Sequence, residues 1–212
     1  SDNMVLQFAI SNHCYPWKWP SRQSLKYILK EPRIRVAYGV HPRFASCFNA
    51  KRDLPALERH LHEDGVVALG EVGIDYSEGV AHKDRCRQKE VLQRVLPLAK
   101  KLNVPVIIHC RGPQAQEDCL EQLTRYLPRN HFVHRHCFVG SPAEVQKWME
   151  AFPNVMFGFT GAICRDTRVK PEWYDAIVQL PLNKLLLETD APFLVPPKFE
   201  KLTKDSNPGM LL

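Results

Sequence analysis

The 212-residue sequence contains no apolar run near the roughly 18 residues that a membrane-spanning helix needs. Its first residues lack the basic-then-apolar layout of a secretory leader. The chain therefore reads as a soluble protein without membrane contact. There is no CxxC: the seven cysteines, at 14, 47, 86, 110, 119, 137 and 164, are odd in number and never closely paired. That argues against a disulfide framework or a zinc knuckle and makes reduced thiols the expected state. No linker, repeat or low-complexity tract divides the chain, so residues 1–212 read as a single domain. Excess charge is slight, with 29 Lys+Arg against 23 Asp+Glu for a net +6. It suits a polyanionic partner such as nucleic acid without requiring one. Hydrophobic residues at 44% and charged residues at 25% argue against global disorder.

What is present is alternation. Apolar, β-rich runs are predicted at 5–11, 34–40, 66–73, 104–109, 131–136, 154–160 and 184–190. Most are nearly continuous in apolar residues, as parallel strands covered on both faces are. Helical patterns fall between them, at 21–30, 53–64, 83–102, 113–126, 141–152 and 171–179. Asp53 is the expected cap of the second helix, and Pro97 is expected to kink or divide the third. Ser141-x-x-Glu144 is a capping-box pattern for the fifth. Strand–helix–strand order of this regularity predicts an α/β fold with a parallel sheet. Seven strands are one short of a (β/α)₈ barrel, which typically takes about 250 residues.

Polar residues favour the barrel over an open sheet. His41, Glu71 with Asp75, His109 with Arg111, His136 and Asp190 follow or end five of the predicted strands, and a barrel gathers all its strand ends around one axis. Alternation along a strand puts Arg111 on the side of His109 and turns Cys110 and Cys137 away, which disfavours a Cys₂His₂ site. It also puts Glu188 on the side of Asp190, one layer deeper. A lone histidine at a strand end is more often structural than a ligand. Carboxylates inside apolar strands, as at Glu71 and Asp190, need a partner or a metal. Two histidines and two carboxylates are usual ligands of a hydrolytic divalent-metal site.

Five segments, Gly39–Pro42 (GVHP), Gly70–Tyr76 (GEVGIDY), Pro105–Arg111 (PVIIHCR), His136–Ser141 (HCFVGS) and Glu188–Leu194 (ETDAPFL), resemble the TatD-related deoxyribonucleases in order and spacing. The His-Arg-His-Cys-Phe form and the Phe-Ala after His-Pro resemble the animal branch with nuclear members. The resemblance implies a metal-dependent TIM-barrel hydrolase that cuts DNA, or RNA, phosphodiesters as a 3′ exonuclease on single strands or 3′ ends. It makes Glu71, His109, His136 and Asp190 metal ligands, with Glu71 and Asp190 catalytic and Asp190 the general base. It implies two divalent ions, Mg²⁺ first and Mn²⁺ or Zn²⁺ as alternatives.

Substrate contacts are expected from Arg111, His41 and Ser141, each with a plain alternative: an ion pair, a Gly-x-His-Pro turn and a helix cap. Tyr15, Trp17 and Trp19 are candidates for base stacking or for core packing. The family's opening His-x-His strand has no counterpart before Val5, and no closing helix follows Asp190. On that reading the barrel lacks its first strand and its C-terminal helices, holds one metal ion or none, and has reduced activity or a regulatory role. The strand edge so exposed would invite self-association. His134, two residues before His136 on the same strand face, is expected to be an interior residue paired with Glu188, with a substitute metal ligand as the other reading. An amidohydrolase-like enzyme acting on a small ester, lactone or amide is the alternative activity.

Overall fold

In the computed structural model, residues 7–164, 171–207 and 210 are described. They fall into two compact units, one ending at Phe132 and the other beginning at Val133. Val5 and Leu6, the start of the first predicted strand, and the side chain of Cys164 lie outside the described residues. The other six cysteines carry thiols. No helix among the described residues is long and apolar enough to cross a membrane.

The first unit alternates β1 (Ala9–His13), α1 (Arg22–Ile28), β2 (Ile34–Tyr38), α2 (Ala50–Leu61), β3 (Val66–Asp75), α3 (His82–Leu102), β4 (Val106–Arg111) and α4 (Ala115–Tyr126). Its four strands are parallel and pair in chain order. Val36, Ala37 and Tyr38 of β2, Leu69 and Ile74 of β3, and Val106 and Ile108 of β4 are buried. The helices cover them with Leu57 and Leu61 of α2, Leu92, Val95, Leu96 and Ala99 of α3, and Leu123 of α4. The continuous apolar runs of the sequence are therefore strands buried on both faces.

The second unit repeats the pattern with β5 (Val133–Arg135), α5 (Pro142–Ala151), β6 (Val155–Phe159), α6 (Pro171–Gln179) and β7 (Leu185–Leu187). Its strands are parallel as well. Phe138, Trp148, Phe152, Phe157 and Phe159 form its core. The buried Arg135 guanidinium lies over the rings of Phe138 and Trp148, at 5.5 and 5.7 Å, and donates to the His136 carbonyl. A charge so deep keeps its hydrogen bond while its flat faces take aromatic cover.

Two helix expectations change. The α2 helix starts earlier than predicted because Asn49, not Asp53, is its cap. The Asn49 side chain accepts from the amides of Lys51 and Arg52, and its own amide donates to the Asp53 carboxylate at 2.8 Å. Asp53 is thus the returning half of a reciprocal box, four residues on rather than three. Pro97 does not divide α3, which runs unbroken to Leu102. Pro97 lies on the exposed face between buried Leu96 and Ala99, so water can satisfy the carbonyl it leaves without a donor. Ser141 caps α5 with the full capping box: its hydroxyl accepts from the Glu144 amide, and its amide donates to Glu144 Oε2.

Candidate metal-binding clusters

In the first unit, Glu71 stands in the middle of the ten-residue β3 strand rather than at its end. The register against β4 shifts there: Gly70 pairs with Ile107 and Val72 with Ile108, leaving Glu71 as an extra residue. A bulge of this kind re-aims the side chain it carries. The Glu71 carboxylate consequently meets Nδ1 of His109 at 2.6 Å. Two residues further along, Gly73 has φ +147, and a side chain there would run into the His109 carbonyl. The bare backbone lets β3 and β4 approach where the imidazole sits. Asp75, at the end of β3, closes the other side, with Oδ2 3.3 Å from His109 Nε2. One imidazole is thus bracketed by two carboxylates.

Asp75 is held by further donors. Arg43 Nε donates to Oδ2 at 2.8 Å, the Ser77 amide and hydroxyl donate to Oδ1, and the Gln88 side chain bonds both backbone groups of Asp75. Burial would raise the Asp75 pKa, but His109, Ser77 and Arg43 hold it well below the usual carboxylate range. Burial would likewise depress His109, but Asp75 and Glu71 outweigh it and keep the imidazole above its ordinary value. The Cys14 thiol donates to Glu71 Oε2 at 3.9 Å.

His41 follows β2 and packs its ring 4.7 Å from that of His109, with Nε2 4.0 Å from Glu71 Oε1. Burial pushes its pKa down to about 4 against the opposing pull of Glu71, so it is neutral near pH 7. Nδ1 accepts from the Arg43 amide at 3.2 Å, which assigns the remaining proton to Nε2. His41 in this state offers a proton rather than a lone pair toward Glu71. Arg111 ends β4, half-buried, and pairs in register with Asp75.

The second unit has the same arrangement in other residues. His136 follows β5, and its Nδ1 lies 2.8 Å from Glu188 Oε1 while its Nε2 lies 3.5 Å from Asp190 Oδ1. Glu188 Oε1 is also 2.8 Å from His134 Nε2, the pairing expected for His134. Glu188 Oε2 accepts from the Cys137 amide at 2.7 Å. Burial would raise the Glu188 pKa, but His136 and His134 hold it well below the usual carboxylate range. The carboxylate needs space from β6, and Gly158 provides it: a Cβ there would overlap the Glu188 carboxylate. Asp190 sits in the left-handed region at φ +53, a conformation that Asp tolerates better than most residues. Burial raises the pKa of the neighbouring Cys137 thiol, which disfavours the thiolate that a zinc site would need.

Both clusters pass a chemical test for a divalent cation. Glu71 is only 6% exposed in an apolar strand, and the ligand atoms of Glu71 and His109 lie within 4.8 Å of each other and of the His41 imidazole, which could join them as a ligand only by giving up its Nε2 proton. His134, His136 and Glu188 satisfy the same distance. There, Glu188 is already occupied by two imidazoles and an amide, so it reads as the support of His136, as carboxylates behind metal-binding histidines are. Nε2 of His136 beside Asp190 then offers the nitrogen–oxygen pair. Imidazole with carboxylate is a donor set suited to a hydrolytic divalent ion.

Of the four residues read as ligands, Glu71 and His109 meet in the first unit, and His136 and Asp190 meet in the second. The sequence reading missed Arg43 as the partner of Asp75. Its position two residues after His41 was visible, but its contact 32 positions away depends on the β3 register.

A model of the family described as TatD-related DNase matches residues 5–211. A human protein described as the 3′–5′ RNA nuclease TATDN2 is 35% identical over 191 residues, 87% of this chain and 24% of that protein. A protein of Erwinia amylovora described as the 3′–5′ ssDNA/RNA exonuclease TatD is 35% identical over 158 residues, 74% of this chain and 58% of that one. The chain thus spans about a quarter of the human relative's length and under two thirds of the bacterial one's. The crystal structure of a TatD homologue from Escherichia coli superposes with a TM-score of 0.72 at 27% identity, covering 88% of this chain and 68% of that one. An uncharacterised amidohydrolase from Saccharomyces cerevisiae gives the same TM-score at 20% identity, a likeness of fold alone. The α/β architecture is that of the TatD-like hydrolase barrel, and the chain belongs to the TatD-related DNase family.

Proposed function

We propose that residues 1–212 form one TatD-like catalytic domain of a divalent-metal-dependent nuclease that removes nucleotides from the 3′ ends of single-stranded DNA or RNA. The observation that carries this reading is the bracketing of two buried imidazoles, His109 and His136, each by a pair of carboxylates, in a chain of this family. The relatives' descriptions as 3′–5′ nucleases of RNA and single-stranded DNA support the substrate class.

In this reading Glu71, His109, His136 and Asp190 hold divalent metal, with Mg²⁺ as the first expectation and Mn²⁺ or Zn²⁺ as alternatives. A bound divalent ion would neutralise phosphate charge and make water more acidic. Glu188 fixes the His136 ring through Nδ1, and Asp75 holds Nε2 of His109, so both imidazoles are set before substrate arrives. Asp190, the more exposed carboxylate of its bracket, takes the proton of the attacking water as general base. His41, neutral with its proton on Nε2, donates to a phosphate oxygen. Arg111 places a guanidinium for a bidentate phosphate contact. The Ser141 hydroxyl accepts from Glu144 and keeps its own proton for a phosphate oxygen. We place the protein inside the cell, in the nucleus or cytoplasm, in keeping with its thiol cysteines.

The test is incubation of the chain with end-labelled single-stranded DNA and RNA in Mg²⁺ or in EDTA, beside a panel of esters and lactones. The expected result is shortening from the 3′ end in Mg²⁺ only, abolished by Glu71→Ala and by Asp190→Ala. Turnover of the ester or lactone panel with intact oligonucleotides would favour an amidohydrolase-like enzyme instead.

A further inference from the structure

The three aromatics that follow β1 do different things. Trp19 is an anchor: its Nε1 donates to the Gly39 carbonyl at 3.2 Å, and its ring packs edge-on to Tyr38 and His60. Tyr15 and Trp17 join Phe44 from the segment after β2. Trp17 and Phe44 meet edge-to-face at 4.9 Å, Tyr15 and Phe44 edge-to-face at 5.1 Å, and Tyr15 and Trp17 lie 5.8 Å apart. Edge-to-face packing holds rings firmly while leaving ring faces uncovered. Trp17 remains 54% exposed although two rings hold it in place.

The position of the trio gives it a use. Tyr15 stacks on His41 at 6.1 Å, and the His41 ring is 4.7 Å from that of His109. A succession of neighbouring rings, Trp17, Tyr15, His41 and His109, therefore leads from the exposed indole to the Glu71–His109 cluster. Arg43, between His41 and Phe44 in sequence, has a side chain 56% exposed beside the same path. Apolar ring faces suit a nucleobase, while a guanidinium and a cluster suited to a phosphate-binding metal both suit the phosphates of the backbone.

We propose that Trp17, supported by Tyr15 and Phe44, is a stacking shelf for a nucleobase of the single-stranded substrate, with Arg43 beside it for the backbone. The proposal rests on the nuclease reading above and adds to it the residues that grip the strand away from the scissile bond. Stacking uses the face common to all bases, so the shelf binds without sequence preference.

The experiment is fluorescence polarisation of labelled dT₁₂, and of the same oligonucleotide with abasic sites, in EDTA so that hydrolysis does not compete. Trp17→Ala should weaken dT₁₂ binding roughly 5- to 100-fold and leave the abasic oligonucleotide unaffected. Trp17→Phe should keep most of the affinity but lose the quenching of tryptophan emission that dT₁₂ causes in the wild type. Equal dT₁₂ affinity in Trp17→Ala and wild type, or equal losses on both oligonucleotides, would overturn the shelf. Hydrolysis of bis(p-nitrophenyl) phosphate, a phosphodiester without a base, separates the two ideas. A wild type that hydrolyses it while Trp17→Ala binds dT₁₂ normally keeps the nuclease reading and loses the shelf. A wild type that neither hydrolyses it nor binds dT₁₂ overturns both.

Discussion

Oε1 of Glu188 lies 2.8 Å from Nδ1 of His136, and the opposite ring nitrogen faces Asp190 at 3.5 Å. The contact fixes the tautomer: a proton on Nδ1 held by Glu188 leaves a lone pair on Nε2. Glu188→Gln should therefore weaken Mn²⁺ binding roughly 10- to 100-fold, read by calorimetry. Glu188→Ala goes further. It strands two imidazoles and the Cys137 amide, and it should cost about 3 kcal/mol or more of stability in chemical denaturation.

Gly158→Ala should imitate the loss of Glu188 without touching it. The new methyl would occupy the space of the carboxylate, so Glu188 must shift away from His136. The expected result is a lowered melting temperature together with weaker Mn²⁺ binding. Combined with Glu188→Gln, the two substitutions should cost less than the sum of their separate effects, because they disturb one contact.

The cap of α5 offers a test of stability that is read without substrate. Ser141→Ala removes the acceptor for the Glu144 amide and should cost about 1 kcal/mol, a fall of roughly 2–4 °C in melting temperature. A much larger fall would mean that Ser141 supports more of the fold than the first turn of α5.

The pH dependence of folding should show the buried His131. Burial holds its pKa below the ordinary 6.5, while its Nε2 donates to the Val104 carbonyl at 2.9 Å. Above pH 6.5 the imidazole is neutral in folded and unfolded chains, and its contribution is complete. As the pH falls below that value, the unfolded chain takes a proton that the folded chain resists, so stability declines. The raised pKa of His109 works in the opposite direction, so the measurement needs a variant. His131→Gln should show a smaller loss of melting temperature between about pH 7.5 and pH 5 than the wild type does.

The sequence was most legible where one local rule decides. Apolar runs gave the seven strands, and Ser141-x-x-Glu144 gave a cap that forms as read. His134 was placed beside Glu188 by alternation alone, and they meet. Legibility ended where the register between strands decides. Nothing local in Gly70–Asp75 announces the bulge that turns Glu71 onto His109. Nor does Arg43 advertise its pairing with Asp75 on the neighbouring strand. Asp53 is a good capping residue in sequence, but Asn49 four residues earlier takes the cap and Asp53 closes the box from inside the first turn. Trp17 and Trp19, two residues apart, were indistinguishable until Gly39 took one of them as a hydrogen-bond donor.

The central claim is that the carboxylates and imidazoles of Glu71, His109, His136 and Asp190 are there to hold metal rather than to satisfy one another. Calorimetric titration of the metal-free chain with Mn²⁺ tests it most directly. The account predicts saturable binding that is lost or weakened at least roughly tenfold in Glu71→Gln and in Asp190→Asn, with both variants folded by circular dichroism. Wild-type chain that binds no Mn²⁺, or variants that bind it as the wild type does, would contradict it.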